Sequence, residues 1–83
     1  MGLFMRQKSY IEIDFHGYSV EDALRAVESV INDIRMNNNA ETCYFITGRG
    51  RIRSAIYEML LKTYELDPVI PLANSGVVTV YIY

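Results

Sequence analysis

Ile11-Glu12-Ile13-Asp14-Phe15-His16-Gly17 is the stretch whose reading decides the fold. Ile11, Ile13 and Phe15 alternate with Tyr10, Glu12 and Asp14, the two-residue period of a half-buried strand, so the apolar three face a core and the others face away. Residues two apart share a face, which puts His16 beside Asp14 where strand geometry persists that far. Gly17 frees the backbone to turn and Ser19 opens a helix. The single histidine of the chain therefore stands just past the carboxyl end of a strand, at a strand-to-helix turn, where open α/β sheets place their ligands.

Outward from that turn, Val20, Ala23, Leu24, Val27, Val30, Ile31 and Ile34 mark one face of an amphipathic helix from Ser19 to about Arg35. Ser19 and Asp22 resemble a capping box, with Asp for the usual Glu, and Arg35 in the last turn suits the helix dipole. Asn37-Asn38-Asn39 ends it. Thr42-Cys43-Tyr44-Phe45-Ile46-Thr47 reads as a second strand, with either Cys43 and Phe45 or Tyr44 and Ile46 facing inward. After Gly48-Arg49-Gly50 a second helix is predicted from about Arg51 to Tyr64, with Ile52, Ile56, Met59, Leu60 and Thr63 on its apolar face. Asp67-Pro68 closes it.

Val69-Ile70-Pro71-Leu72-Ala73 reads as a short third strand, an edge strand because of Pro71. Asn74-Ser75-Gly76 turns it into a last strand, 77–83, with Val78, Val80 and Ile82 inward. The expected fold is thus a two-layer α/β sandwich, β-α-β-α-β-β, with a four-stranded mixed sheet and both helices on one face. Its open face would carry Tyr10, Glu12, Asp14, Thr79, Tyr81 and Tyr83. Residues 1–8 are expected to be a lead, flexible or docking through Leu3, Phe4 and Met5, and residues 9–83 a single domain.

Eighty-three residues leave room for one domain, and a hydrophobic share of 51% excludes disorder. Cys43 is the only cysteine, so neither an internal disulfide nor a Cys/His zinc site is available, and the expected setting is reducing and cytoplasmic. No apolar run approaches the ~20 residues of a membrane span. The net charge of −2 argues against coating nucleic acid by bulk electrostatics, but Arg49, Arg51 and Arg53 are clustered.

Two groups of residues can carry chemistry. Histidine moves protons near neutral pH without much tuning, and a neighbouring carboxylate such as Asp14 can orient it. At Thr47-Gly48-Arg49-Gly50, glycines allow amides to face an anion at a helix start, and Arg49 can grip a phosphate in two places. Adjacent parallel strands joined by a right-handed crossover would bring both groups to one rim.

The chain resembles the Smr (small MutS-related) domain family. Ile13-Asp14-Phe15-His16-Gly17 is similar to that family's L-D-x-H-G motif, Thr47-Gly48-Arg49-Gly50 to the T-G-x-G form of a second motif that is often H-G-x-G, and Asn74-Ser75-Gly76-Val77-Val78-Thr79-Val80 to its N-x-G-x-x-x-V segment. The resemblance implies a module that binds DNA or RNA and, in many members, acts as an endonuclease that nicks DNA or cleaves RNA. It implies Asp14 and His16 as the catalytic pair and Gly48, Arg49 and Gly50 as the phosphate-binding loop, flanked by Thr47, Arg51 and Arg53. Thr47 replaces the common histidine, which removes any mechanism needing two. No cofactor is certain: cleavage of RNA needs no metal because the 2′-hydroxyl can be the nucleophile, whereas cleavage of DNA would call for water and a divalent cation (Mg or Mn), which Asp14 would help to hold. The alternatives are a non-catalytic nucleic-acid module whose tyrosines stack on bases, and a protein-interaction module that self-associates through the open sheet face or the lead.

Overall fold

A computed structural model of the chain describes the backbone of residues 4–7 and all of residues 10–83. The elements are β1 (Phe4–Gln7), β2 (Tyr10–Asp14), α1 (Val20–Met36), β3 (Glu41–Ile46), α2 (Arg51–Glu58), a π-helical continuation of α2 (Met59–Thr63), and β4 (Val77–Ile82). The sheet runs β1-β2-β3-β4. Its centre is the mixed set β2, β3 and β4, in which β2 and β3 are parallel and β4 is antiparallel to β3. β1 adds antiparallel to the outer edge of β2, pairing Phe4 with Ile13 and Gln7 with Tyr10.

β2 follows its alternation residue for residue. Ile11, Ile13 and Phe15 are buried while Glu12, Asp14 and His16 are exposed. Register settles the choice that the sequence left open in β3: Ile11 pairs with Cys43 and Ile13 with Phe45, so Cys43 and Phe45 face inward, where they also meet Val80 and Val78. The helices cover this face, and Ala23, Val27, Val30, Ile31 and Ile34 of α1 join Ile56, Leu60 and Leu66 in one core cluster.

α1 begins where its cap is expected. Ser19 Oγ accepts the Asp22 amide at 3.1 Å, and the Asp22 carboxylate accepts from Arg25 at 2.8 Å. Arg25, and then Ser19, hold the Asp22 carboxyl below its ordinary value. At the other end Asn38 adopts a left-handed φ of 54°, which asparagine tolerates better than most residues.

Three features differ from the sequence expectation. The element order is β-β-α-β-α-β, because the segment expected as a lead forms β1. An edge strand is held by backbone bonds, which need no hydrophobic period to announce them. The possibility that the lead docks through Leu3, Phe4 and Met5 concerns side chains outside the described residues. Second, 69–73 is not a strand. Val69 and Thr79 exchange both backbone bonds, each 2.8 Å, and form an isolated bridge. The next exchanging pair of an antiparallel ladder would be Pro71 with Val77, and proline has no N–H to give. Instead the Pro71 carbonyl accepts the Asn74 amide at 3.2 Å, starting a turn. Third, the end of the second helix widens, with Tyr64 N–H donating to Met59 O at 3.2 Å, a separation of five residues. The altered phase leaves Thr63 exposed, while Tyr64 packs against the core. The Arg35 guanidinium sits 5.5 Å from the Tyr64 ring centre.

Cys43 is fully buried in this core, and burial first, then the Glu41 charge, pushes its thiol up to about 12. An unfolded thiol ionises near 9. The folded chain therefore keeps its proton at a pH where the unfolded chain has lost it, so this group contributes no pH dependence below about 8 and lowers stability as pH rises from about 9 toward 12. Under native conditions at pH 8 a thiol-reactive dye is expected to leave Cys43 unmodified and to react fully in denaturant. Fast native labelling would contradict the packing described.

Candidate functional site

β2 and β3 are parallel, so their carboxyl ends open on the same rim. The ladder continues one step past Asp14, because Phe15 N–H donates to Ile46 O at 2.9 Å. Phe15 therefore stands opposite Thr47, and His16 and Gly48 are the next residues to leave the sheet. Phe15 stays buried and packs edge-on against Tyr18 with ring centres 5.2 Å apart, while His16 between them is exposed. The Tyr18 amide donates to Phe15 O at 3.0 Å and closes a tight turn with Gly17 at φ 84°. A side chain at that φ would be strained, which is why glycine follows the histidine.

Asp14 does not pair with the imidazole as the D-x-H spacing suggests. Its Oδ1 accepts the His16 backbone amide at 2.9 Å, and no ion pair joins the two side chains among the described residues. Within strand geometry i and i+2 share a face, but the chain turns at His16, and a short aspartate bonds a main-chain amide two residues on more readily than a side chain.

The second group is built against a third loop. Thr47 and Gly48 both donate their amides to Gly76 O, at 2.8 and 3.0 Å, and the Thr47 hydroxyl donates to Gly48 O at 2.8 Å. Gly48 has φ 74°, which turns the chain toward the start of α2. The amides of Thr47 and Gly48 are thus committed within the protein. Those of Arg49 and Gly50 donate to no backbone acceptor among the described residues. Asn74 Oδ1 accepts the Gly76 amide at 3.1 Å and so shapes the loop that receives these bonds. Sequence reasoning missed that 74–76 is part of the rim. The available signal was an Asn two residues before a Gly, the spacing at which an asparagine side chain caps its own turn.

The three arginines divide. Arg49 and Arg51 are exposed, with no hydrogen-bond or ion-pair partner among the described residues. Arg53 is half-buried and donates to Ser75 O at 2.7 Å, tying α2 to the 74–76 loop. Arg49, Gly50, Arg51 and Ser54 line an open groove of about 680 Å³ that reaches Val20 at the start of α1. Both helices thus begin at this rim.

A model of the Smr domain family matches residues 13–82, nearly the whole chain. The protein belongs to the Smr domain family. Comparison with curated proteins and with solved structures gave no match. Membership supports a nucleic-acid-binding or nuclease-like module in general terms, and the matched span holds all three rim loops. No described helix of this Smr domain is long and apolar enough to cross a membrane.

Among the described residues no three or more His, Cys, Asp or Glu side chains are gathered as ligands. At the rim Asp14 already spends one oxygen on the His16 amide, so the residues present do not make a metal site by themselves.

The open sheet face of the Smr domain carries Tyr10, Tyr44, Tyr81 and Tyr83. Tyr10 and Tyr44 meet edge-on at 5.2 Å and Tyr81 and Tyr83 lie tilted at 5.8 Å. Tyr81 and Tyr83 are 55% and 63% exposed, so their rings are accessible rather than core. Glu12 and Asp14 share this face and make its charge unfavourable to a phosphate backbone.

Proposed function

We propose that this Smr domain is an endonuclease that holds the phosphate backbone of a nucleic acid with Arg49, Gly50 and Arg51 and moves a proton with His16. One observation carries the reading: an exposed imidazole and two unpartnered guanidinium groups flank the carboxyl ends of adjacent parallel strands. Arginine forks match non-bridging phosphate oxygens, and charge that develops on those oxygens during displacement is what Arg49 and Arg51 stabilise.

With RNA, His16 takes the proton of the 2′-hydroxyl, whose oxygen attacks phosphorus. The bond to the 5′-oxygen breaks in line with that attack, leaving a 2′,3′-cyclic phosphate; the departing 5′-oxygen takes a proton from water, and the imidazolium returns its own proton to solvent. His16 thus serves as the base and water as the acid, in a domain with Thr47 rather than a second histidine. DNA lacks the 2′-hydroxyl, and there His16 would act on water instead. Asp14 serves as a support for His16, and Thr47 as a builder of the loop through its bond to Gly48 O.

The exposed tyrosines favour a second reading, a module that stacks bases without cutting them. It predicts affinity without turnover and a loss of affinity on Tyr81→Ala.

Fluorescence anisotropy with labelled single-stranded RNA, single-stranded DNA and duplex DNA across a salt series tests the phosphate contacts. Arg49→Ala and Arg51→Ala are each expected to weaken binding and to reduce the slope of log affinity against log salt by roughly 0.7–0.9. Arg53→Ala is expected to lower stability with the slope kept, since its guanidinium is committed to Ser75 O. Unchanged slopes for Arg49→Ala and Arg51→Ala would overturn the phosphate assignment.

A further inference from the structure

We infer that Asp14 is a positioning residue acting through the main chain, and that its carbonyl-type oxygen, not its negative charge, is what the site requires. The inference rests on the nuclease reading and refines it. Asp14 Oδ1 receives the His16 amide at 2.9 Å and makes no ion pair with the imidazole among the described residues. The bond fixes His16 from the strand side, while Gly17 and the Tyr18-to-Phe15 bond fix it from the helix side. His16 has no other hydrogen-bond support among the described residues, so its placement depends on these backbone bonds.

The same rim contains a neutral counterpart. Asn74 Oδ1 receives the Gly76 amide at 3.1 Å with the same two-residue spacing. A neutral amide oxygen therefore closes this kind of turn within the same fold. Asparagine at 14 keeps the oxygen at the same reach. Alanine removes it, and glutamate carries it one methylene too far.

The test compares Asp14→Asn, Asp14→Ala and Asp14→Glu with the unaltered chain, reading amide hydrogen exchange at His16 by NMR beside cleavage of labelled RNA and DNA. Asp14→Asn is expected to keep the His16 amide protected and to cleave within about fivefold of the unaltered chain, the weakening expected when a charge-assisted bond becomes neutral. Asp14→Ala and Asp14→Glu are expected to lose protection and to fall on the order of 10²-fold, as a misplaced catalytic group does. Asp14→Asn as inactive as Asp14→Ala, with its other amides unchanged, would overturn the inference and restore a role for the charge. Absence of cleavage by the unaltered chain would overturn the nuclease reading instead. The exchange data then decide the positioning role alone: protection kept in Asp14→Asn supports it and protection lost overturns it. Asp14→Ala is dispensable should it fail to fold, because Asp14→Asn carries the decision.

Discussion

His16→Ala is expected to lower cleavage by roughly 10²–10⁴-fold, the span that general acid–base groups contribute, and to leave oligonucleotide affinity nearly unchanged. The two effects separate because of what the histidine touches. Its main chain is held by Asp14 and by the Gly17 turn, while its side chain is exposed at the rim and carries no structural bond among the described residues. Truncation at Cβ therefore removes the proton carrier without loosening the fold. Phosphate binding rests on Arg49 and Arg51, which lie on the neighbouring loop, so the two properties separate. His16→Gln is the companion variant: it keeps polarity and approximate size but cannot cycle a proton, and it is expected to be as inactive as His16→Ala. Single-turnover cleavage beside anisotropy checks both. Equal losses of affinity and rate would make His16 a binding residue instead.

Phe45→Ala is expected to cost about 3–5 kcal/mol, the range for emptying a fully buried aromatic site. A domain of this length holds about 4–12 kcal/mol in all, so the variant loses a large share of its stability and, at the low end of that range, is largely unfolded at 37 °C. Phe45 is fully buried near the carboxyl end of β3, pairs with Ile13 on one side and Val78 on the other, and lies 5.8 Å from the Phe15 ring. Phe15 in turn packs on Tyr18, and His16 stands between those two residues in the chain. The aromatic series Phe45, Phe15, Tyr18 is the floor beneath the site, so this core loss should depress activity even in the fraction that stays folded. Urea unfolding gives the stability change, and a midpoint within error of the unaltered chain would contradict the packing.

What could be read from the sequence was what side-chain pattern controls. The alternation through Ile11, Ile13 and Phe15 and the three-and-four spacing from Val20 to Ile34 announce a strand and a helix because burial on one face imposes the period. Ser19 announces the start of that helix because its hydroxyl replaces a missing backbone partner. β1 was not legible, since Phe4–Gln7 joins the edge through backbone bonds that any sequence can make. The segment 69–73 was misread because its apolar residues suit a strand, while one missing N–H at Pro71 limits pairing to a single bridge. The widened end of the second helix carries no period of its own to read.

The rim was legible in outline and not in its bonds. Strand order and the crossover rule put His16 and the Gly48-Arg49-Gly50 loop on one rim. The partners escaped because main-chain acceptors leave no trace in residue identity. Gly76 O accepts the Thr47 and Gly48 amides, Asp14 Oδ1 accepts the His16 amide, and Ser75 O accepts from Arg53. Each reassigns a residue that composition alone would have aimed at substrate.

The most direct test is incubation of the purified chain with end-labelled single-stranded RNA, single-stranded DNA and nicked or branched duplex, each with magnesium and with EDTA, beside His16→Ala. Cleavage of at least one substrate by the unaltered chain, lowered by roughly 10²-fold or more in the variant, is the predicted result. Cleavage undiminished in His16→Ala, or no cleavage of any substrate by either protein, would contradict the assignment of this rim as a nuclease site.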